Sequence, residues 1–206
     1  MLQEFFRSTP ELARRMLQRL LACHGRAAVA WFTADEAYGD NPGLRGWPDD
    51  QDLNYVMAVS CDARFATPTG PCRADELAAS APQRGWQRLS CGPGSKGHRL
   101  YDWLLVDPGA DAHLLLVRRC ISKPSELAYY VCRRSTPVPL AELVRVAGSR
   151  WSVEETLPIA KNDTGQCNRC TPEDRALHAV PAVATGLGHR VRWVASTRDR
   201  WAVSIT

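Results

Sequence analysis

Apolar positions along this chain fall mostly into short runs of strand length separated by turn residues, and only two stretches keep a helical period. Ala27 to Thr33 (AAVAWFT) is continuous, includes β-branched and aromatic residues, and stops at Ala34-Asp35 ahead of the turn-forming Tyr38-Gly39-Asp40-Asn41-Pro42-Gly43. That pattern predicts a buried strand. Leu53 to Ser60, Arg99 to Val106, His113 to Arg119 and Leu127 to Cys132 read as further strands, while Thr67 to Pro71 and Gly92 to Gly97 read as Pro/Gly-rich loops. Met1 to Leu21 reads as a helix. Ser8 with Glu11 makes a capping box, Pro10 suits the first turn, and Leu12, Met16, Leu17, Leu20 and Leu21 form a stripe opposite Arg14, Arg15, Gln18 and Arg19. After Pro137-Val138-Pro139, helical spacing returns at Leu140, Leu143, Val144 and Ala147 and lasts until Gly148. Gln166 to Thr206 shows no clean period of either kind.

Two places along this frame carry candidate chemistry. Asp35 stands at the C-terminal end of a predicted strand, the edge where open α/β sheets bind ligands, and its oxygens suit a hard cation such as Mg²⁺. The same placement also suits Asp35 or Glu36 as the cap of the following turn or helix. Farther on, a helix starting at Ser149 or later would carry Arg150, Glu154 and Lys161 on one face, since their spacings of four and seven residues are helical. Taken alone, such a stripe is usually a solvated face laced by ion pairs worth a few tenths of a kcal/mol.

Read as one ordered set, the motifs say more. Asp35-Glu36-x-Tyr38-Gly39 after a strand, followed at long range by Arg150-x3-Glu154-x6-Lys161, resembles the insertion-sequence transposases of the DDE class, whose catalytic domain has an RNase H-like fold. Tyr38 to Arg45, Leu53 to Val59, Lys96 to Trp103 and Arg150 to Glu155 agree with that family, so the resemblance covers about residues 8 to 165. It implies a two-metal phosphoryl-transfer site in which three carboxylates hold Mg²⁺ or Mn²⁺ for in-line attack on a DNA phosphodiester. Asp35 matches the second Asp and Glu154 the Glu, making both the expected metal ligands and catalytic residues. Arg150 and Lys161 match the basic members of the Tyr-Arg-Glu-Lys signature and would meet DNA phosphate. The signature's Tyr falls at Ala147.

Other departures limit what the chain is expected to do. The family's first Asp lies on an opening strand well upstream of the second, yet the stretch before Asp35 reads as a helix. Without that carboxylate both ions bind weakly, and strand cleavage is not expected. Pro158 lies four residues after Glu154, where it removes an N–H and crowds the Glu154 carbonyl at a cost of about 3 kcal/mol. The pattern after Gly165 suggests a shifted reading frame. The expected architecture is therefore α/β: an incomplete RNase H-like core over residues 8–60 and 137–165, a β-rich insertion over 61–136, and a divergent tail, compatible with disorder, over 166–206. The expected partners are double-stranded DNA at transposon ends and full-length transposase. The resemblance suits a transposase fragment without cleavage activity, or a non-catalytic DNA-binding or oligomerising fragment that inhibits the full-length enzyme.

Charge adds little. Lys and Arg total 26 against 22 acids, but six arginines and three acids beyond residue 165 supply +3 of the net +4, so the body is nearly neutral. Local groups are better candidates for phosphate: Lys96, His98 and Arg99 at a Gly-rich turn, and Arg118-Arg119 after a strand. Solvated turns carry such residues too. Cys167 and Cys170 form the one Cys-x-x-Cys of eight cysteines, with His178 and His189 at awkward spacing, which speaks against structural zinc; the other six read as small buried hydrophobes. No apolar run is long enough for a membrane span and the opening residues lack a secretory pattern, so the expected compartment is the cytoplasm.

Overall fold

Strands with almost no polar side chain must lie at the centre of a sheet, and β1 (Val29–Ala34) does so, with Val29, Trp31, Phe32 and Ala34 buried. β2 (Tyr55–Val59) runs parallel to it, with Phe32 opposite Tyr55 and Ala34 opposite Met57. The computed structural model describes residues 9–26, 29–94, 97–149, 191–195 and 201–205. They form a mixed α/β fold.

From β2 the sheet extends through antiparallel neighbours: β8 (Leu127–Arg133), β7 (His113–Arg119), β6 (Gly97–Val106) and β5 (Gln87–Gly94). On the other side of β1 come β10 (Trp201–Ile205), parallel to it, and β9 (Val191–Ala195), antiparallel to β10. The order is β5-β6-β7-β8-β2-β1-β10-β9; a separate two-stranded ladder pairs β3 (Arg64–Phe65) with β4 (Cys72–Arg73). Because β8 hydrogen-bonds to β2, strands from the middle of the chain share one sheet with β1 and β2.

Side-chain alternation divides the core between the two faces. Tyr55, Met57 and Val59 of β2 face one way, with Leu115, Val117 and Val131, against α1 (Thr9–His24), α3 (Pro42–Asp50) and α4 (Ala74–Ser80). Val56 faces the other way with Leu114, Leu116, Tyr130 and Cys132, against a helix over residues 140–149, α5, which buries Leu143, Val144, Val146 and Ala147. Each fully buried Leu contributes on the order of 2–3 kcal/mol relative to exposure. Among the described residues no helix is long and apolar enough to cross a membrane.

The five predicted strands are all present, within two residues of their expected bounds. The helix expected near the start spans Thr9–His24 and buries Ala13 and Leu17; Ser8 lies outside the described residues. Gly148 does not end the second helical stretch, because residue 149 is still helical. A Cβ on Gly148 would sit 2.1 Å from the Cys91 carbonyl oxygen, so the missing side chain is what lets α5 lie against β5. The expected loop at Gly92 to Gly97 is the end of the β5–β6 hairpin, with Pro93 opposite His98 and a register shift after Ser90. Gly92 (φ 123°) and Gly97 (φ 107°) take the positive angles that this bulged end requires.

The expected turn at residues 38–43 is largely helical: α2 (Glu36–Gly39) and then α3, whose Asn41 cap accepts the Leu44 N–H at 2.9 Å. Residues 166–190, 196–200 and 206 of the tail lie outside the described residues, but β9 (VRWVA) and β10 (WAVSI) within it pair with the sheet. Five residues are too few to display a period, although β-branched and aromatic content favours strands in both. Of the six described cysteines, Cys91 and Cys132 are buried as expected, whereas Cys23 and Cys61 are exposed.

Candidate functional site

Asp35 follows directly on β1 in an extended conformation (φ −80°, ψ 179°). Its carbonyl accepts the Tyr38 and Gly39 N–H groups at 3.1 and 2.9 Å, which turns the chain sharply into α2. The carboxylate takes no part in this turn. Asp35 occupies the N-cap position, yet its side chain caps nothing, and Oδ1 is buried with no hydrogen-bond donor. A buried acceptor that nothing meets costs about 1–3 kcal/mol, so such an atom calls for a partner from outside the chain: a water, an ion or a ligand.

Neighbouring groups hold this edge rigid. A Cβ on Gly39 would lie 1.9 Å from the Ala58 carbonyl oxygen, so α2 sits directly on the C-terminal end of β2. Asp40 accepts the Ser60 N–H through both carboxylate oxygens, at 3.0 and 3.2 Å. Tyr38 is buried, and that burial, reinforced by the negative charge of Asp35, pushes its phenol above the ordinary range. Behind β1, Trp31 Nε1 donates to Glu142 Oε1 at 3.0 Å and fastens the start of α5 to the strand that carries Asp35.

A hard divalent cation seeks six or more oxygens, though Mg²⁺ commonly takes only one or two from protein carboxylates and the rest from water or phosphate. The undonated Asp35 Oδ1, though buried, is chemically suited to one such position. Among the described residues no three His, Cys, Asp or Glu side chains gather as a metal site. Neither strand beside β1 adds an acid: β2 reads YVMAV and β10 reads WAVSI.

Glu154, Arg150, Lys161 and Lys96 lie outside the described residues. α5 meets β1 through Glu142 and Trp31 and lies against β5 at Gly148. Arg99 belongs to the β5–β6 hairpin, where its Nη2 donates to the Pro93 carbonyl at 3.0 Å, well away in the sheet order from β1. Arg118 lies over the Tyr101 ring at 4.7 Å. Arg119 lies over the Trp86 ring at 4.0 Å and pairs with Asp102 at 3.3 Å, while Arg88 pairs with the same carboxylate at 3.0 Å. These contacts hold Asp102 below the usual carboxylate range, chiefly through the hydrogen bond from Arg88.

One polar cluster at the opposite end of β2 has no counterpart in the motifs of the sequence. Asp49, in the last turn of α3, accepts the Tyr55 hydroxyl at 2.9 Å and faces His113 Nε2 at 3.2 Å and Arg133 Nε at 3.3 Å. Tyr55, Arg133 and His113 stand side by side on β2, β8 and β7 in a single register row. Each is a lone polar residue at a strand end, and only the strand pairing brings them together, which is why no spacing rule finds them. Comparison of the sequence with models of known protein families and with curated proteins returns no match.

Proposed function

We propose that the chain is a DDE-type transposase fragment of an insertion sequence, one that engages DNA at transposon ends but does not cut it alone. The observation that carries this reading is the Asp35 carboxylate, set at the C-terminal end of a central parallel strand with a buried oxygen that no donor satisfies. An aspartate serving only as a cap would have spent that oxygen on the N–H groups of α2. Support also comes from the mixed sheet with helices on both faces, of which an incomplete RNase H-like core is the finer reading.

In this reading Asp35 and Glu154 would hold Mg²⁺ or Mn²⁺, which would supply Lewis-acid stabilisation of charge on a DNA phosphate. Arg150, Lys161, Lys96 and Arg99 would contact the DNA backbone. Two carboxylates are one fewer than the cleavage reaction of this class uses, so binding persists and cutting is lost. The test is nicking of supercoiled plasmid under Mg²⁺ and Mn²⁺ by the wild type and Glu154→Ala. No nicking by either is expected; nicking abolished by Glu154→Ala would make the chain a working nuclease and overturn the reading.

A second reading, a non-catalytic DNA-binding fragment that interferes with full-length transposase, is favoured by one observation. β5, β6 and β7 carry four arginines, Arg88, Arg99, Arg118 and Arg119, against a single carboxylate, Asp102. Gel-shift competition between terminal-repeat and random duplex at rising salt tests it. Equal affinity for both duplexes would remove the reading, since phosphate contacts alone carry no sequence preference.

A further inference from the structure

His113 has carboxylates at both ring nitrogens. Nε2 lies 3.2 Å from Asp49 Oδ2 and Nδ1 lies 3.0 Å from Asp111 Oδ2. A neutral imidazole carries one N–H and one lone pair, so it can donate to only one of them, and the other nitrogen would face an oxygen lone pair to lone pair. Only the imidazolium, with two N–H groups, satisfies both. The geometry is thus that of a protonated ring held between two acids from different elements, Asp49 on α3 and Asp111 in the turn that joins β6 to β7.

The two acids are not equally secured. Asp49 keeps the Tyr55 hydroxyl and Arg133 whatever the state of the ring, and Arg133 is itself fixed to Asp52 at 3.0 Å. Asp111 has the His113 backbone N–H on Oδ1 at 2.8 Å, while Oδ2 faces the ring. When the ring loses a proton, one of the two carboxylates is left against a lone pair, and the bridge between helix and turn is broken whichever nitrogen keeps its N–H. Arg45 acts on Tyr55 through its charge, and Asp107 in the turn accepts the Gly109 N–H at 2.9 Å.

We propose that Asp49, His113 and Asp111 form a proton-operated latch that fastens the β6–β7 turn, residues 107–112, to the end of α3. Protonated, the ring ties the turn to the helix; neutral, it frees the turn while the α3 to sheet junction persists through Tyr55 and Arg133. The hydrogen bond with Asp49, against the opposing effect of burial and with help from Asp111, holds His113 above the ordinary histidine range, so the latch opens at a higher pH than that at which a free histidine loses its proton.

Imidazole ¹⁵N spectra recorded from pH 5 to 9 test this, together with amide exchange of residues 107–112 corrected for its intrinsic base-catalysed rise. Both His113 nitrogens are expected in the imidazolium range at pH 6.5, and corrected exchange in the turn should rise severalfold through the His113 midpoint. In Asp111→Asn, which keeps an acceptor for the His113 N–H but loses the charge, the midpoint should fall by about one pH unit, a roughly tenfold loss of proton affinity. The corrected exchange should then lose its pH dependence. A neutral His113 ring at pH 6.5, or turn exchange that ignores the His113 midpoint in the wild type, would overturn the proposal. An unchanged midpoint in Asp111→Asn would do the same.

Discussion

Asp49 and Asp35 stand at opposite ends of the same pair of parallel strands and have opposite fates. Asp49 is fully used: a tyrosine, a histidine and an arginine from three strands converge on it. Burial works against its ionisation, but the hydrogen bonds from His113 and Tyr55 and the nearby positive charges outweigh that and hold it below the usual carboxylate range. Asp35 sits at an edge braced by Gly39, Asp40 and Trp31, with one oxygen committed to nothing. The contrast separates two uses of a carboxylate. One is spent on holding helix to sheet, and the other is kept available at a cost in stability.

The comparison breaks most severely at the brace beneath Asp35. Gly39→Ala drives a Cβ into the Ala58 carbonyl at 1.9 Å, and a loss of about 3 kcal/mol is expected by urea denaturation. Asp49→Ala strands Tyr55, His113 and Arg133 together. Its expected loss is about 2 kcal/mol, below the figure for a wholly buried pair because the Asp49 side chain is 27% exposed.

The Asp49 effect also depends on pH, and the sign follows from both partners. Asp49 is depressed, so its contribution is present above the ordinary carboxylate value and lost as pH falls through its folded value. His113 is raised, so its contribution is complete below the ordinary histidine value and lost as pH rises through its folded value. The Tm difference between wild type and Asp49→Ala should therefore be widest between about pH 4 and about pH 6.5 and should narrow on both sides. Thermal melts at half-unit steps read this directly.

Smaller effects sharpen the other end. Asn41→Ala, which removes the α3 cap near Asp35, should cost about 1 kcal/mol in the same denaturation experiment. Asp35→Asn should not lower stability, because the folded protein offers that side chain no donor to lose. A large loss in Asp35→Asn would place Asp35 with Asp49 among the structural carboxylates.

Much of the fold is legible in the residues themselves. β1, β2, β7 and β8 are apolar runs whose length and content leave little alternative, and Leu143, Val144 and Ala147 announce α5 by spacing. β5 is not legible: Gln87, Arg88 and Ser90 give no apolar run, and its Gly92-Pro93-Gly94 end reads as a loop. It becomes a strand by pairing with β6. β9 and β10 are hidden for the same reason, being short and supported by the β1 edge rather than by their own pattern. The placement of Asp35 at a strand's C-terminal end follows from sequence because it is a local property. The Asp49 cluster does not, because it depends on which strands become neighbours.

The most direct test of the division between a spent and an open carboxylate is a Mn²⁺ titration followed by the electron paramagnetic resonance signal of the free aqua ion. Wild type should take up Mn²⁺, and Asp35→Asn should lose that uptake while keeping its melting temperature. Equal uptake by the two proteins, or none by the wild type, would contradict the account.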